Sequence, residues 1–256
     1  MVMKILYTIG AVSLFALSAQ AQNAKPEDTE VWLPEPKVVT PAKTPGNAPA
    51  DAIVLFDGKN LDEWVLLDDS TSTQKWKLAD GAMTVDKTKG DLRTKRKFTD
   101  YQLHIEYQIP TVIHGTGQGR GNSGIFLAAL PWGAGGYELQ VLDNYQNKTY
   151  VNGQVGSVYK QSIPLANAAR KPGVWQTYDV IWTAPRFNAD GSLKSPARVT
   201  AIHNGVLVQN NYVLKGDTPY IGQPAYKAHG PAPIKLQSHG DPSETISYRN
   251  IWVREL

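Results

Sequence analysis

Between Tyr101 and Ile109 the chain alternates without a break. Tyr101, Leu103, Ile105, Tyr107 and Ile109 are apolar, and Gln102, His104, Glu106 and Gln108 between them are polar. A period of two marks a half-buried strand, because successive side chains point to opposite faces of a sheet. The β-branched and aromatic theme returns at 180–182, 199–202, 206–208 and 251–253. Helical patterning is nearly absent: the best candidate, Ile163 to Ala169, has room for one or two turns at most. Asn204-Gly205 and Asp80-Gly81 are hairpin dipeptides set between apolar runs, and Asp190-Gly191 reads as a further turn. The pattern predicts an all-β fold, a two-sheet antiparallel β-sandwich of jelly-roll type.

The ends of the chain follow other rules. Met1 to Lys4 carries one positive charge, Ile5 to Ser18 is apolar, and Ala19-Gln20-Ala21 has the small-x-small pattern of a cleavage site. Residues 1–21 therefore read as a cleaved signal peptide, too short in its apolar run for the ~20 residues that cross a bilayer. No cysteine follows the cleavage site, so no lipid anchor is expected and the mature chain should be exported, periplasmic or extracellular, and soluble. Residues 22–51 hold Pro26, Pro34, Pro36, Pro41, Pro45 and Pro49, a density that suits an extended linker or strap. The globular domain is expected over 52–256. The 7 Trp, 12 Tyr and 5 Phe of the whole chain exclude a disordered coil. A net charge of +3 gives no reason to expect a nucleic-acid partner. The absence of cysteine removes disulfides and thiolate chemistry. Nothing in the chain sets an oligomeric state.

Three segments carry candidate chemistry. In Tyr137 to Asp143, Glu138 and Gln140 share a strand face, whereas Asp143 lies at an odd offset and belongs to the opposite one. A bulge between Gln140 and Asp143 would return it to the side of Glu138. The same residues also suit a strand with a surface Glu and a turn Asp. In Ile234 to Gly240, Lys235, Gln237 and His239 alternate onto one face, either toward a cleft or toward solvent with His239 capping the turn that follows. In Gly117 to Gly124 the glycines precede a strand rather than a helix, so phosphate-loop readings fail. Arg120, Asn122 and Ser123 there are candidate ligand contacts. Trp132, Tyr145 and Tyr159 are candidate sugar-stacking aromatics or core residues. The five histidines lack paired ligand spacing, so no metal or other cofactor is expected. A structural calcium at Asp57 to Asn60 or Asp143-Asn144 has only turn residues behind it.

Taken in order, FDGKNLDEW (56–64), GNSGIFL (121–127), YELQVLD (137–143), GVWQTYDVIW (173–182), HNGVLV (203–208), IKLQSHG (234–240) and YRNIWVREL (248–256) resemble the 3-keto-disaccharide hydrolase domain family. The resemblance covers residues 52–256 and implies a concanavalin-A-like lectin/glucanase fold and a carbohydrate substrate. YELQVLD is also similar to the E-x-D-x-x-E strand of laminarinase-type glucanases. By position, Glu138 would match the nucleophile, Gln140 the helper carboxylate and Asp143 the acid/base. Gln140 cannot ionise and Asp143 is a methylene short, which argues against a two-carboxylate mechanism. A 3-keto sugar offers another route: the ketone acidifies the C2 proton, a base removes it, the C1 substituent is expelled and water adds back. Glu138 is the first choice of base, with Asp143 and His239 as further catalytic candidates. Arg120, Asn122, Ser123, Gln140, Lys235, Gln237, Trp132 and Tyr159 are then the expected substrate contacts. The rivals are a non-catalytic carbohydrate-binding module and a conventional laminarinase-like hydrolase.

Overall fold

The computed structural model describes residues 25–73, 75–132 and 135–256; the signal peptide expected at 1–21 lies outside them. The chain up to Val38 is one compact unit, whose described part holds a single 3-10 turn, Pro26–Thr29, and exposes Val31, Trp32 and Leu33. The second unit, Val39–Leu256, carries the sheets. In chain order its strands are β1 (Ile53–Phe56), β2 (Trp64–Leu66), β3 (Lys77–Ala79), β4 (Ala82–Thr84), β5 (Leu92–Thr94), β6 (Tyr101–Gln108), β7 (Asn122–Ala129) and β8 (Gly136–Leu142). There follow β9 (Trp175–Thr183), β10 (Arg186–Phe187), β11 (Leu193–Ser195), β12 (Arg198–His203), β13 (Val206–Val213), β14 (Lys235–Leu236) and β15 (Ser247–Glu255).

The pairings are antiparallel and build a two-sheet sandwich of lectin/glucanase type. The larger sheet runs β13-β12-β9-β6-β15-β4-β3 with β1 also on β15, and the smaller runs β2-β5-β14-β7-β8. The alternation read at 101–109 is realised: all five apolar residues are buried and share the core with Leu92, Ile125, Leu139, Val141 and Leu236 of the smaller sheet. Asp80-Gly81 and Asn204-Gly205 have positive φ at both positions, as the tightest hairpin turns require. No helix forms at Ile163 to Ala169, the best helical candidate in an otherwise helix-poor sequence. That segment is irregular and exposes Ile163 and Leu165. Pro164 accounts for this, since it lacks an N–H and pushes the preceding residue out of the helical region.

Two features hold the site strands in place. Tyrosine hydroxyls of the larger sheet cross the core: Tyr101 Oη donates to Leu127 O (2.6 Å), Tyr178 Oη donates to Gln140 O (2.8 Å), and Tyr248 Oη meets Ser123 Oγ (2.7 Å). Buried hydroxyls need partners, so each bond ties a fixed point of β7 or β8 to the opposite sheet. Along the outer edge of β8, Gly156 to Tyr159 pairs with the strand through Gln140 N to Ser157 O (3.0 Å) and Tyr159 N to Glu138 O (3.1 Å). That cover leaves β7 and β8 buried on both faces. On the far side, residues 39–51 strap the larger sheet, where Gly46 O accepts from Asn250 Nδ2 and Trp252 Nε1, both at 2.9 Å.

Candidate active site

The face of the smaller sheet that points away from the core carries a cavity of about 180 Å³. Glu138 and Gln140 of β8, Asn122 and Phe126 of β7, and Gln237 and His239 beyond β14 contribute to its walls. Their co-location follows from register: Phe126 stands opposite Glu138, Gly124 opposite Gln140, and Lys235 opposite Phe126. Tyr159 from the edge segment, Gln118 from the glycine-rich loop, and Thr218 and Tyr220 complete it.

Glu138 is 6% exposed. Burial pushes its carboxyl up to about 8, against a weaker opposing pull from the Lys235 ammonium and with a small further push from Asp91. Gly124 makes room for it, since a Cβ at that position would lie 2.3 Å from Glu138 Oε1. The glycine is needed to admit a side chain of the protein itself.

The end of the Gln140 amide lies 2.8 Å from Glu138 Oε1. Its other atom faces Gln118 Oε1 (3.0 Å) and Asn122 Oδ1 (3.3 Å). The neighbours decide which end is nitrogen. Gln118 Nε2 is committed to Gly153 O (2.7 Å) and Thr149 Oγ1 (3.0 Å), and Asn122 Nδ2 to Gln118 O (2.8 Å). Asn122 Nδ2 also reaches Gln118 Oε1 (3.4 Å), so it is the Asn122 oxygen that depends on the Gln140 nitrogen for a donor. The Gln140 oxygen then meets Glu138, and that contact is favourable when Glu138 carries a proton. Turning the Gln140 amide alone would let its nitrogen donate to an ionised Glu138 and to Ser123 O (3.3 Å) but would set its oxygen against the Gln118 and Asn122 oxygens. The burial of Glu138 and the amide network thus favour the same neutral acid.

His239 is oriented from behind by Asp241. Asp241 Oδ2 accepts from His239 Nδ1 (3.3 Å) and from Asn122 N (3.2 Å), while Oδ1 accepts from Ser243 N (2.9 Å) and Gly121 N (3.2 Å). Burial alone would raise this carboxyl, but the bonds from His239, Ser243 and Asn122, with Lys87 nearby, outweigh it and hold it below the usual range. An ionised Asp241 keeps the proton on Nδ1 and leaves Nε2 as an acceptor, 3.5 Å from Asn122 Nδ2. One directed chain then runs Glu138–Gln140–Asn122–His239–Asp241, with an acid at one end and an oriented base near the other.

Several expected contacts lie elsewhere. The pairing of β7 with β8 is regular from Glu138 to Leu142, and its register shift falls between Phe126 and Ala129 on β7. With no bulge after Gln140, Asp143 stays on the opposite face, where it accepts from Arg120 Nε (2.7 Å) and Tyr145 N (3.0 Å). Asp143 and Arg120 are thus an ion pair at the sheet end. Ser123 is fully buried and bonds Gln237 O and Tyr248, a structural role. Lys235 shares the outward face but its ammonium is bound to Asp91 (2.9 Å) and stacked over Phe126. Trp132 lines another cleft with Pro131 and His229. Tyr145 is 40% exposed and outside the cavity walls. Asp57 is occupied by Lys59, and among the described residues no three His, Asp or Glu side chains gather as metal ligands do. Gln118, Gly124, Phe126, Thr218, Tyr220 and Asp241 escaped the sequence reading. Of these, only Gln118, Gly124 and Phe126 lay within segments it had singled out.

A lectin/glucanase-type sandwich whose outward sheet face holds a cavity with an acid, an oriented imidazole and several amides defines a carbohydrate-active protein. Residues 51–254 match the model of the 3-keto-alpha-glucoside-1,2-lyase-like domain, and the chain belongs to that family. No curated protein matches it. Among solved structures, it is 56% identical to a candidate glycosyl hydrolase from Parabacteroides distasonis ATCC 8503, over 91% of this chain and 97% of that one, with a TM-score of 0.83. Two other candidate glycosyl hydrolases of the same organism share the fold. One has a TM-score of 0.57 at 21% identity, over 80% of this chain and 99% of that one. The other has a TM-score of 0.58 at 18% identity, over 80% and 94%.

Proposed function

We propose that the domain cleaves 3-keto-glycosides by elimination followed by hydration, with His239 as base and Glu138 as acid. The observation that carries this reading is the directed chain from Glu138 to Asp241, which places a buried acid and an imidazole oriented through Nδ1 in one cavity. His239 Nε2 removes the proton at C2, which the C3 ketone acidifies. The electron pair passes through the enolate and expels the oxygen at C1, which takes the proton of Glu138. This leaves an enone with C1=C2 conjugated to the ketone. Water adds at C1 and gives a proton to the Glu138 carboxylate, while His239 returns its proton to C2. The products are a free 3-keto sugar and an alcohol, and both groups are reset. The Gln237 amide is the donor within reach of the cavity for the enolate oxygen.

These roles revise the choice of Glu138 as base, because a buried carboxyl that rests protonated is better suited to donate. The lyase-like description of the family agrees with an elimination step. A two-carboxylate hydrolase has less support, since Asp143, the expected partner, faces away and is held by Arg120. Purified protein should release product from a 3-keto-glycoside and little or none from its unoxidised twin, measured by reducing-sugar assay. Comparable turnover of both would overturn the keto-specific reading.

The same proposal places the protein outside the cytoplasm, on the strength of residues 1–21. Mass analysis of the mature protein should find Gln22 at its N-terminus, and a retained Met1 would refute export by this route.

A further inference from the structure

The cavity that holds Glu138 and His239 is about 180 Å³, below the roughly 300–1,000 Å³ that small-molecule sites occupy. A glycoside has two halves, and the cavity is sized for one. Tyr159 is its shared wall. The same residue lines a second cleft of about 410 Å³ with Tyr150, Asn152, Lys160, Pro219 and Gln223. Tyr159 Oη bonds Tyr150 Oη at 2.6 Å, which braces the partition between the two spaces.

Lys160 is built into this cleft at a conformational cost. Its φ is +58°, in the left-handed region that a side chain other than glycine's rarely adopts. Asn152 holds it there: Lys160 N donates to Asn152 O (2.8 Å), and Asn152 Nδ2 donates to Lys160 O (3.3 Å). The ammonium consequently lies 4.3 Å from the Tyr220 ring centroid and 5.7 Å from those of Tyr150 and Tyr159, and it donates to Tyr220 O. A cation shared among three rings and a carbonyl is already engaged, which leaves it poorly placed to select an anion. Tyr220 remains 70% exposed where it also lines the catalytic cavity. What the cleft offers a ligand is aromatic and proline ring surface edged by hydroxyls and by the Asn152 and Gln223 amides. That combination suits a neutral polyhydroxylated ring.

We propose that this cleft is the leaving-group subsite and takes the second sugar of a disaccharide or longer glycoside. The inference rests on the catalytic reading above for the placement of the oxidised sugar beside Glu138 and His239. The Tyr220 and Tyr159 rings, both beside the Lys160 ammonium, carry the chain of sugars from one space into the other.

The test uses Gln223→Trp, which fills the cleft from an exposed loop position without touching the core. Catalytic efficiency is measured on a 3-keto-disaccharide with glucose as the leaving sugar, and on the methyl 3-keto-glucoside. The variant should lose roughly tenfold or more on the disaccharide relative to the methyl glycoside, the scale set by loss of one binding pocket. D-glucose alone should shift the backbone amide NMR signals of Asn152, Lys160 and Gln223 in the native chain, and those of Asn152 and Lys160 should stay put in the variant. If the native protein cleaves neither substrate yet glucose moves those signals, the subsite stands and the catalytic reading falls. If both substrates are cleaved, lose activity equally in the variant, and glucose moves nothing, the subsite is refuted and the catalytic reading stands.

Discussion

Glu138→Gln is expected to abolish most turnover and at the same time to stabilise the fold. The amide keeps the shape and can donate to Gln140 Oε1 as the protonated acid does, but it has no proton to give the leaving group. Loss of a general acid typically costs on the order of 10²- to 10⁴-fold in rate. The pH dependence of the native enzyme follows from the same group. Activity should fall as pH rises through about 8, where Glu138 ionises, and this limb should be missing from the residual activity of the variant. Activity rising through that range would instead restore Glu138 as the base. The stability change has a definite sign. The folded carboxyl sits at about 8 against 4.5 for an unperturbed one. Below the lower value both states hold the proton, and nothing is lost. Between the two values the unfolded chain gains by ionising, so native stability declines by about 1.4 kcal/mol per pH unit. The variant escapes this decline, and its advantage at neutral pH has an upper bound of roughly 3.5 kcal/mol. Urea unfolding across that range should show the gap widening with pH; a gap that stays constant would mean that Glu138 is ionised in the native protein.

Deuterium at C2 of the 3-keto substrate should slow the enzyme where proton removal limits the rate, and turnover in heavy water should leave deuterium at C2 of the released sugar. The two catalytic variants should then separate. His239→Gln removes the base, so both turnover and enzyme-catalysed C2 exchange should drop by about 10²- to 10⁴-fold. Glu138→Gln removes only the acid, so exchange beside the ketone should persist while departure of the C1 group stalls. Asp241→Asn should lie between native protein and His239→Gln, because the imidazole remains but the group that sets its tautomer is gone. Mass spectrometry of recovered substrate reads exchange directly, after subtraction of the spontaneous rate. Exchange at the native rate in His239→Gln would place the base on another residue, and retention of the C2 hydrogen during native turnover would exclude elimination altogether.

The candidate site was partly legible in the chain, and its misreadings have local physical causes. Glu138 and Gln140 could be placed on one strand face because alternation needs only the backbone's period of two, while Gln237 and His239 reach the same cavity although β14 ends at Leu236. Asp143 was drawn toward Glu138 by supposing a bulge after Gln140, but bulges depend on how two strands meet. The register shift occurs on β7, between Phe126 and Ala129, where Thr218 Oγ1 accepts from Glu138 N (3.0 Å) and donates to Gly136 O (3.0 Å). Thr218 lies 80 residues away, so no local pattern announces it. Ser123 looked like a ligand contact because it neighbours Asn122, yet strand alternation sends its side chain inward to Tyr248.

What the amino-acid order determined by itself is therefore the set of local choices: strands where apolar residues alternate, and left-handed turns at Asp80-Gly81 and Asn204-Gly205. These depend on steric and hydrogen-bonding rules that act within a few residues. Only the tertiary structure decided what the titratable groups do. Glu138 became a neutral acid because β7, the edge segment at 156–159 and the amides of Gln118, Asn122 and Gln140 close around it and exclude the water that would hold its charge. Asp241 became the orienting partner of His239 because its two oxygens collect backbone N–H groups from Gly121, Asn122 and Ser243. A carboxyl's proton affinity depends on the groups that surround it in space, and at this site those groups come from strands and loops far apart in the chain.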